Sequence, residues 1–244
     1  MKKTILLSSI LAVGAAFATD VESANAIGAL DVTITTSPKQ TLIAAPFVGY
    51  ETDGEIKVKD IVKTSNLKAG SKLYAVNSDG GYNTWTLDAN GAWAADQYVS
   101  VIAGGQPSVG TAENQGEATI KRGDAFWIEP IFDDSITEGT IFLLGQTSVE
   151  AGTSSASGNQ WNLIGNASVE AFNIAGLSGA NGDQIVVQNG SALKYYTYNT
   201  TKGGWCITDK GKLTKQDTLS IPAGHGFWYK PASDTVINWS TVQK

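Results

Sequence analysis

The chain has 244 residues, 42% of them hydrophobic and only 16% charged, with 27 glycines, one cysteine, one histidine and a formal net charge of −6. An acidic balance with a single arginine, Arg122, excludes the basic stripe that a nucleic-acid backbone requires. One cysteine excludes an internal disulfide, and one histidine beside it excludes the clustered ligands of a zinc site.

Residues 1–26 read as an export signal. Met1-Lys2-Lys3 is a basic start, residues 4–18 are apolar and small, and Ala24-Asn25-Ala26 places small residues where a signal peptidase cuts. Cleavage is expected after Ala26, with Ala16-Phe17-Ala18 as a second site. The apolar run is shorter than the roughly 20 residues of a membrane span, and no later stretch is long and apolar enough to make one.

The remainder reads as β structure. Strands are expected near 42–47, 72–76, 83–88, 117–129 and 139–144, and again near 161–165, 184–188, 193–199, 218–230 and 235–239. Asn90-Gly91 between two such runs predicts a type I′ hairpin, and Lys202-Gly203-Gly204 predicts a second hairpin. Apolar residues at Val58, Ile61 and Val62 predict a short helix within 58–67, with a counterpart in 169–177. The Gly-, Ser- and Thr-rich segment 145–158 is the expected junction.

The two sets of strands carry one repeated pattern. Ile120-Lys-Arg-Gly-Asp-Ala-Phe-Trp-Ile-Glu-Pro130 and Ile221-Pro-Ala-Gly-His-Gly-Phe-Trp-Tyr-Lys-Pro231 share Ile, Gly, Phe, Trp and Pro at the same spacing. Leu42-Ile43 matches Leu163-Ile164, Gly70-Ser-Lys-Leu73 matches Gly182-Asp-Gln-Ile185, and Gly91-Ala-Trp93 matches Gly203-Gly-Trp205. Trp85 and Leu87 match Tyr196 and Tyr198. The expected organisation is an all-β protein of two tandem related β-barrel or β-sandwich units, 27–145 and 146–244, each with one short helix. The matching apolar positions suit one pseudo-twofold body and also two separate bodies.

Trp161-Asn-Leu-Ile-Gly165, Gly70-Ser-Lys-Leu-Tyr74, Gly182-Asp-Gln-Ile185 and Gly224-His-Gly-Phe-Trp228 resemble the motifs of a group of exported bacterial two-repeat β proteins. Their pattern is Trp/Tyr-Asn-Leu-Val/Ile-Gly, Gly-Asp-Lys-Ile-Tyr and Gly-x-Gly-Phe-Phe/Trp. The resemblance spans nearly all of the mature chain. It implies an exported all-β protein and brings no catalytic residues with it. Gly123-Asp-Ala-Phe126 departs by lacking the second glycine, and Gln40-Thr41-Leu42 by lacking the aromatic.

Residues kept in both copies are read as framework, which assigns Phe126, Trp127, Phe227, Trp228, Trp93 and Trp205 to packing. Aromatics present in one copy are the candidates for a ligand: Tyr82, Trp161, Tyr195, Tyr50 and Tyr98. The first unit is also longer in loops near 48–56 and 103–116, where binding residues tend to concentrate. Arg122-Gly-Asp124 spells an adhesion tripeptide, but it sits beside a strand at a repeat position held by Ala-Gly-His in the other copy, so Gly123 reads as a bulge or turn glycine. His225 and Cys206 could form a nucleophilic pair only in hydrogen-bond contact. Asp88-Ala-Asn90-Gly91 suits a hairpin better than a calcium loop.

These readings converge on an exported structural or interaction protein of the cell envelope or extracellular space, non-catalytic and without metal or cofactor. The partner classes are another envelope protein or a glycan. The alternative is a carbohydrate-binding module that uses exposed aromatics.

Overall fold

The computed structural model describes residues 27–48, 55–63, 66–77, 81–96, 98–101, 107–110, 119–146, 152–190 and 192–239. Nearly all of its regular structure is antiparallel strand, as the alternating patterns require. No described helix is long and apolar enough to cross a membrane.

The first half contains β1 (Ile27–Thr35), β2 (Thr41–Ala44), β3 (Glu55–Lys57), β4 (Val62–Lys63), β5 (Lys72–Val76) and β6 (Tyr82–Leu87). It continues with β7 (Trp93–Ala95), β8 (Tyr98–Val101), β9 (Pro107–Gly110), β10 (Thr119–Lys121), β11 (Ala125–Glu129) and β12 (Glu138–Gln146). Its main sheet has the order β2-β11-β5-β6-β7, with β1-β12-β4, β3-β10 and β8-β9 as smaller sheets. The second half contains β13 (Thr153–Ala156), β14 (Asn162–Gly165), β15 (Phe172–Asn173), β16 (Gln184–Asn189) and β17 (Ala192–Asn199). After these come β18 (Gly204–Asp209), β19 (Lys212–Lys215), β20 (Ser220–Ile221), β21 (Gly226–Lys230) and β22 (Thr235–Asn238). Its main sheet has the order β14-β21-β16-β17-β18-β19, with β13-β22 and β15-β20 beside it. The strand order of the first main sheet thus recurs in the second, extended by β19.

Each half packs its main sheet over its own core. Leu73, Trp85, Phe126 and Ile128 meet Val32, Ile34, Ile141 and Leu143 in the first. Ile185, Tyr196, Trp205, Phe227 and Tyr229 meet Ala156, Ile237 and Trp239 in the second. Side chains alternate across a strand, so one apolar stripe per strand supplies the core and the other stripe faces out. The framework tryptophans repeat a hydrogen bond as well as a position. Trp93 Nε1 donates to Val62 O at 3.2 Å, and Trp205 Nε1 donates to Leu177 O at 2.8 Å.

Several local expectations change. The helical spacing of 58–67 is realised over one turn only, Val58–Ile61, because Val62 and Lys63 join a sheet edge against β12. Its counterpart in 169–177 is a 3₁₀ turn, Ile174–Gly176, rather than an α-helix. The runs 117–129 and 218–230 are each split by a turn in which Gly123 and Gly224 take φ of +91° and +70°. The Asn90-Gly91 hairpin closes through five residues rather than two. Asp88 accepts from the backbone N–H groups of Ala92 and Asn90, which holds its carboxyl below the usual range. Among the described residues, Lys210-Gly211 between β18 and β19 forms a two-residue hairpin with positive φ at both positions. Segment 145–158 is not all linker. Gly145 and Gln146 complete β12, and Thr153–Ala156 forms β13.

The halves are stitched together through their backbones. Ala44 N–H donates to Gly224 O at 2.9 Å, and Gly165 N–H, at the matching position, donates to Gly123 O at 2.8 Å. A Cβ on Gly224 would lie 2.4 Å from Val32 Cγ2, and one on Gly123 would lie 2.4 Å from Ser154 Oγ. Each turn therefore seats against the opposite half. Trp127 and Trp228 meet across the same junction with ring centroids 5.0 Å apart.

Candidate functional site

The outer face of the second main sheet carries an exposed apolar shelf. Pairing registers place Leu163 opposite Trp228, Trp228 opposite Val186, and Val186 opposite Tyr195. These four residues form one row across four strands, about 14 Å wide at ordinary strand spacing. Trp161 and Leu193 lie two residues along from Leu163 and Tyr195, so they fall beside the same row. Trp161, Val186, Leu193, Tyr195 and Trp228 line a shallow cavity of about 260 Å³. Trp161 is 45% exposed, Leu193 47% and Tyr195 61%, values that leave three large apolar side chains open on one surface.

The equivalent row of the first sheet carries polar groups beside its apolar ones. Leu42, Trp127, Tyr74 and Thr84 are paired in the same order. Gln40 stands where the second half has Trp161, Tyr74 where it has Val186, and Thr84 where it has Tyr195. Tyr74 Oη donates to Glu129 Oε2 at 2.9 Å, Gln40 Nε2 donates to the same oxygen at 3.4 Å, and Lys39 Nζ lies 2.8 Å from Glu129 Oε1. Burial first, and then the Glu129 carboxylate, push the Tyr74 hydroxyl up to about 12. One copy has thus closed its outer row with a hydrogen-bonded network, while the other presents bare aromatic surface.

Of the five sequence candidates, Trp161 and Tyr195 come together here. Tyr82 is exposed at the start of β6 on the first sheet and does not line this cavity. Tyr98 lies on β8, in the separate β8-β9 hairpin, and its side chain is outside the described residues, as is Tyr50 entirely. The insertion at 103–116 lies outside them except for β9, and the insertion at 48–56 except for Val48, Glu55 and Ile56. Trp228 belongs to the site although the repeat assigns it to packing. It does both jobs, touching Trp127 on one side and lining the cavity on the other. Strand parity carries the signal that finds it: Phe227 and Tyr229 point to the core, so Trp228 must point out.

The remaining candidates are absorbed by the fold. Arg122 Nε donates to Ala167 O at 2.7 Å, Gly123 is buried, and Asp124 Oδ2 accepts from Lys121 N–H. The tripeptide is therefore a joint between the halves. Cys206 is buried on β18, and its Sγ faces Gly204 O at 3.5 Å. His225 precedes β21, three strand spacings or about 14 Å from β18, so the two form no hydrogen-bonded pair. Among the described residues no cluster of three or more His, Cys, Asp or Glu side chains could hold a metal ion.

His225 Nδ1 lies 3.0 Å from Ala223 O, an acceptor, so Nδ1 carries the proton. Burial of the ring holds its pKa below the ordinary value of about 6.5. The unfolded chain then binds the proton more readily than the folded one. This contribution is fully present above about pH 6.5 and is lost as pH falls from there towards the folded pKa. In urea titrations at pH 8 and pH 5.5, the midpoint of the wild-type chain is expected to drop by more than that of His225→Asn. Equal drops would remove His225 from the acid response.

The chain matches no known protein family, no characterised protein and no solved structure.

Proposed function

We propose that this chain is an exported, non-catalytic interaction protein of the cell envelope or extracellular space, and that it engages a glycan through the outer face of its second sheet. The observation that carries the reading is the shelf of Trp161, Tyr195 and Trp228. Flat rings on rigid strands offer large contact area at small entropic cost, and the apolar face of a pyranose is a flat surface of matching kind. Gln184 and Lys230 are paired on the same outer face, where they supply hydrogen-bonding groups at the edge of the shelf. Export is supported by the pattern of residues 1–26 and by the motif resemblance to exported two-repeat proteins.

The test is retention of the purified mature chain on immobilised neutral and acidic polysaccharides. Trp161→Ala and Tyr195→Ala are each expected to weaken binding by about tenfold or more, as for a central aromatic contact. Both side chains are exposed, so melting temperatures should stay close to that of the parent. Wild-type protein that is retained on no polysaccharide, or retention that survives both substitutions, overturns the glycan assignment. Sequencing the mature N-terminus from envelope and medium fractions is expected to begin at Ile27. Chain found only in the cytosol at full length overturns export.

A further inference from the structure

A second cavity lies on the opposite face of the same strands, at the seam between the halves. Val187, Lys194 and Tyr196 line it from the side of β16 and β17 that faces away from Val186 and Tyr195. Strand β1 supplies Thr33 and Thr35, because Val32 and Ile34 turn the other way into the first core. Thr41 and His225, the latter from the segment before β21, also line the cavity. The volume is about 330 Å³, enough for a molecule the size of a single sugar acid.

The chemistry of this wall is selective. In a protein of net charge −6, no Asp or Glu lines the cleft. Its one fixed charge is the Lys194 ammonium, which makes no ion pair among the described residues. The Thr41 hydroxyl belongs to a residue only 8% exposed and has no hydrogen-bond partner among the described residues. The hydroxyl oxygen is not fully enclosed, so solvent or a ligand can reach it from the cleft. His225 Nδ1 is taken up by Ala223 O, which leaves Nε2 as the ring atom able to accept from a ligand. The floor is apolar, built from Val187, Leu219 and Pro222 with the Tyr196 ring.

We propose that this cleft is a binding site for a small hydroxylated carboxylate of sugar-acid size. The carboxylate pairs with Lys194, ligand hydroxyls meet Thr41 Oγ1 and His225 Nε2, and the apolar side of the ring rests on Val187 and Tyr196. The site is built from both halves and is separate from the aromatic shelf.

Isothermal titration of the purified chain with D-glucuronate, D-glucose and acetate tests it. Glucuronate is expected to bind saturably, with glucose and acetate each at least tenfold weaker. Lys194→Met should weaken glucuronate binding by about tenfold and leave the weak glucose response unchanged. Thr41→Val keeps the shape and should cost severalfold in affinity without lowering the melting temperature. Trp161→Ala should leave glucuronate binding intact even if it abolishes retention on polysaccharide, so the two sites fail independently. No saturable binding overturns the proposal, as does glucose or acetate binding as tightly as glucuronate. Affinity untouched by both Lys194→Met and Thr41→Val also overturns it.

Discussion

Replacing Asp183 with alanine is expected to destabilise the fold by about 4 kcal/mol, which for a domain of this length lowers the melting temperature by roughly 8–16 °C. The side chain is 2% exposed and accepts three hydrogen bonds: Tyr229 Oη at 2.8 Å, Ala232 N–H at 2.8 Å and Ala180 N–H at 2.9 Å. Hydrogen bonds to a charged acceptor are worth about 1.5–3 kcal/mol each, and their sum is tempered because they share one group. Truncation leaves a fully buried tyrosine hydroxyl and two backbone donors without that acceptor. Burial and the Asp183 partner already hold the Tyr229 hydroxyl well above its ordinary value. Ser71 occupies the matching position in the first half. Its Oγ accepts from Ile131 N–H at 2.9 Å and donates to Lys68 O at 2.9 Å. Both partners are neutral, so Ser71→Ala should cost only about 1–2 kcal/mol. Paired thermal melts of the two variants check the ranking, and equal losses would refute the role given to the carboxylate.

Gly165→Ala is the second large effect. Its added methyl would lie 2.1 Å from Asp124 O, 2.8 Å from Asp124 C and 3.0 Å from Ala44 Cβ. Two of those atoms are backbone, so no rotamer change relieves the clash. The same residue donates the hydrogen bond to Gly123 O that joins the halves. Opening the seam loses that bond and its partner at Ala44 together. A destabilisation of about 3 kcal/mol or more is expected. Gly182→Ala is the control. It meets no atom within 4 Å, so its cost is limited to strain at φ +94°. Urea unfolding of the two variants separates steric conflict from backbone strain, and a Gly165→Ala midpoint no lower than that of Gly182→Ala would contradict the close approach.

The all-β class is legible because short apolar and aromatic runs bounded by turn residues recur along the chain. Leu73 and Ala75 show which side of β5 is buried, whereas Ile185, Val186 and Val187 are all buried and give no such contrast in β16. The two shelf residues Trp161 and Tyr195 are legible for a different reason. Comparing copies isolates Gln40 against Trp161 and Thr84 against Tyr195, which marks a face used in one copy and closed in the other. Trp228 escapes that logic, since a residue retained twice need not be buried twice. Gly123 is legible as a bulge or turn glycine inside a strand-like run, and Gly224 holds the same repeat position; both take positive φ. The seam cleft was beyond sequence reasoning altogether. Its walls come from residues 33–41 and 187–225, and only tertiary packing brings them together.

The reciprocal bonds at the seam have the form of an isologous contact, in which patch i meets patch j and j meets i. Ala44 to Gly224 and Gly165 to Gly123 are bonds between matching repeat positions that run in opposite senses across the seam, inside one polypeptide. A homodimer obeys that symmetry in full and must present identical faces. Within one chain the two sides are free to differ away from these reciprocal bonds. One outer row could therefore become a sealed polar network and the other an open aromatic shelf. A symmetric pair of separate chains would have to carry two of the same.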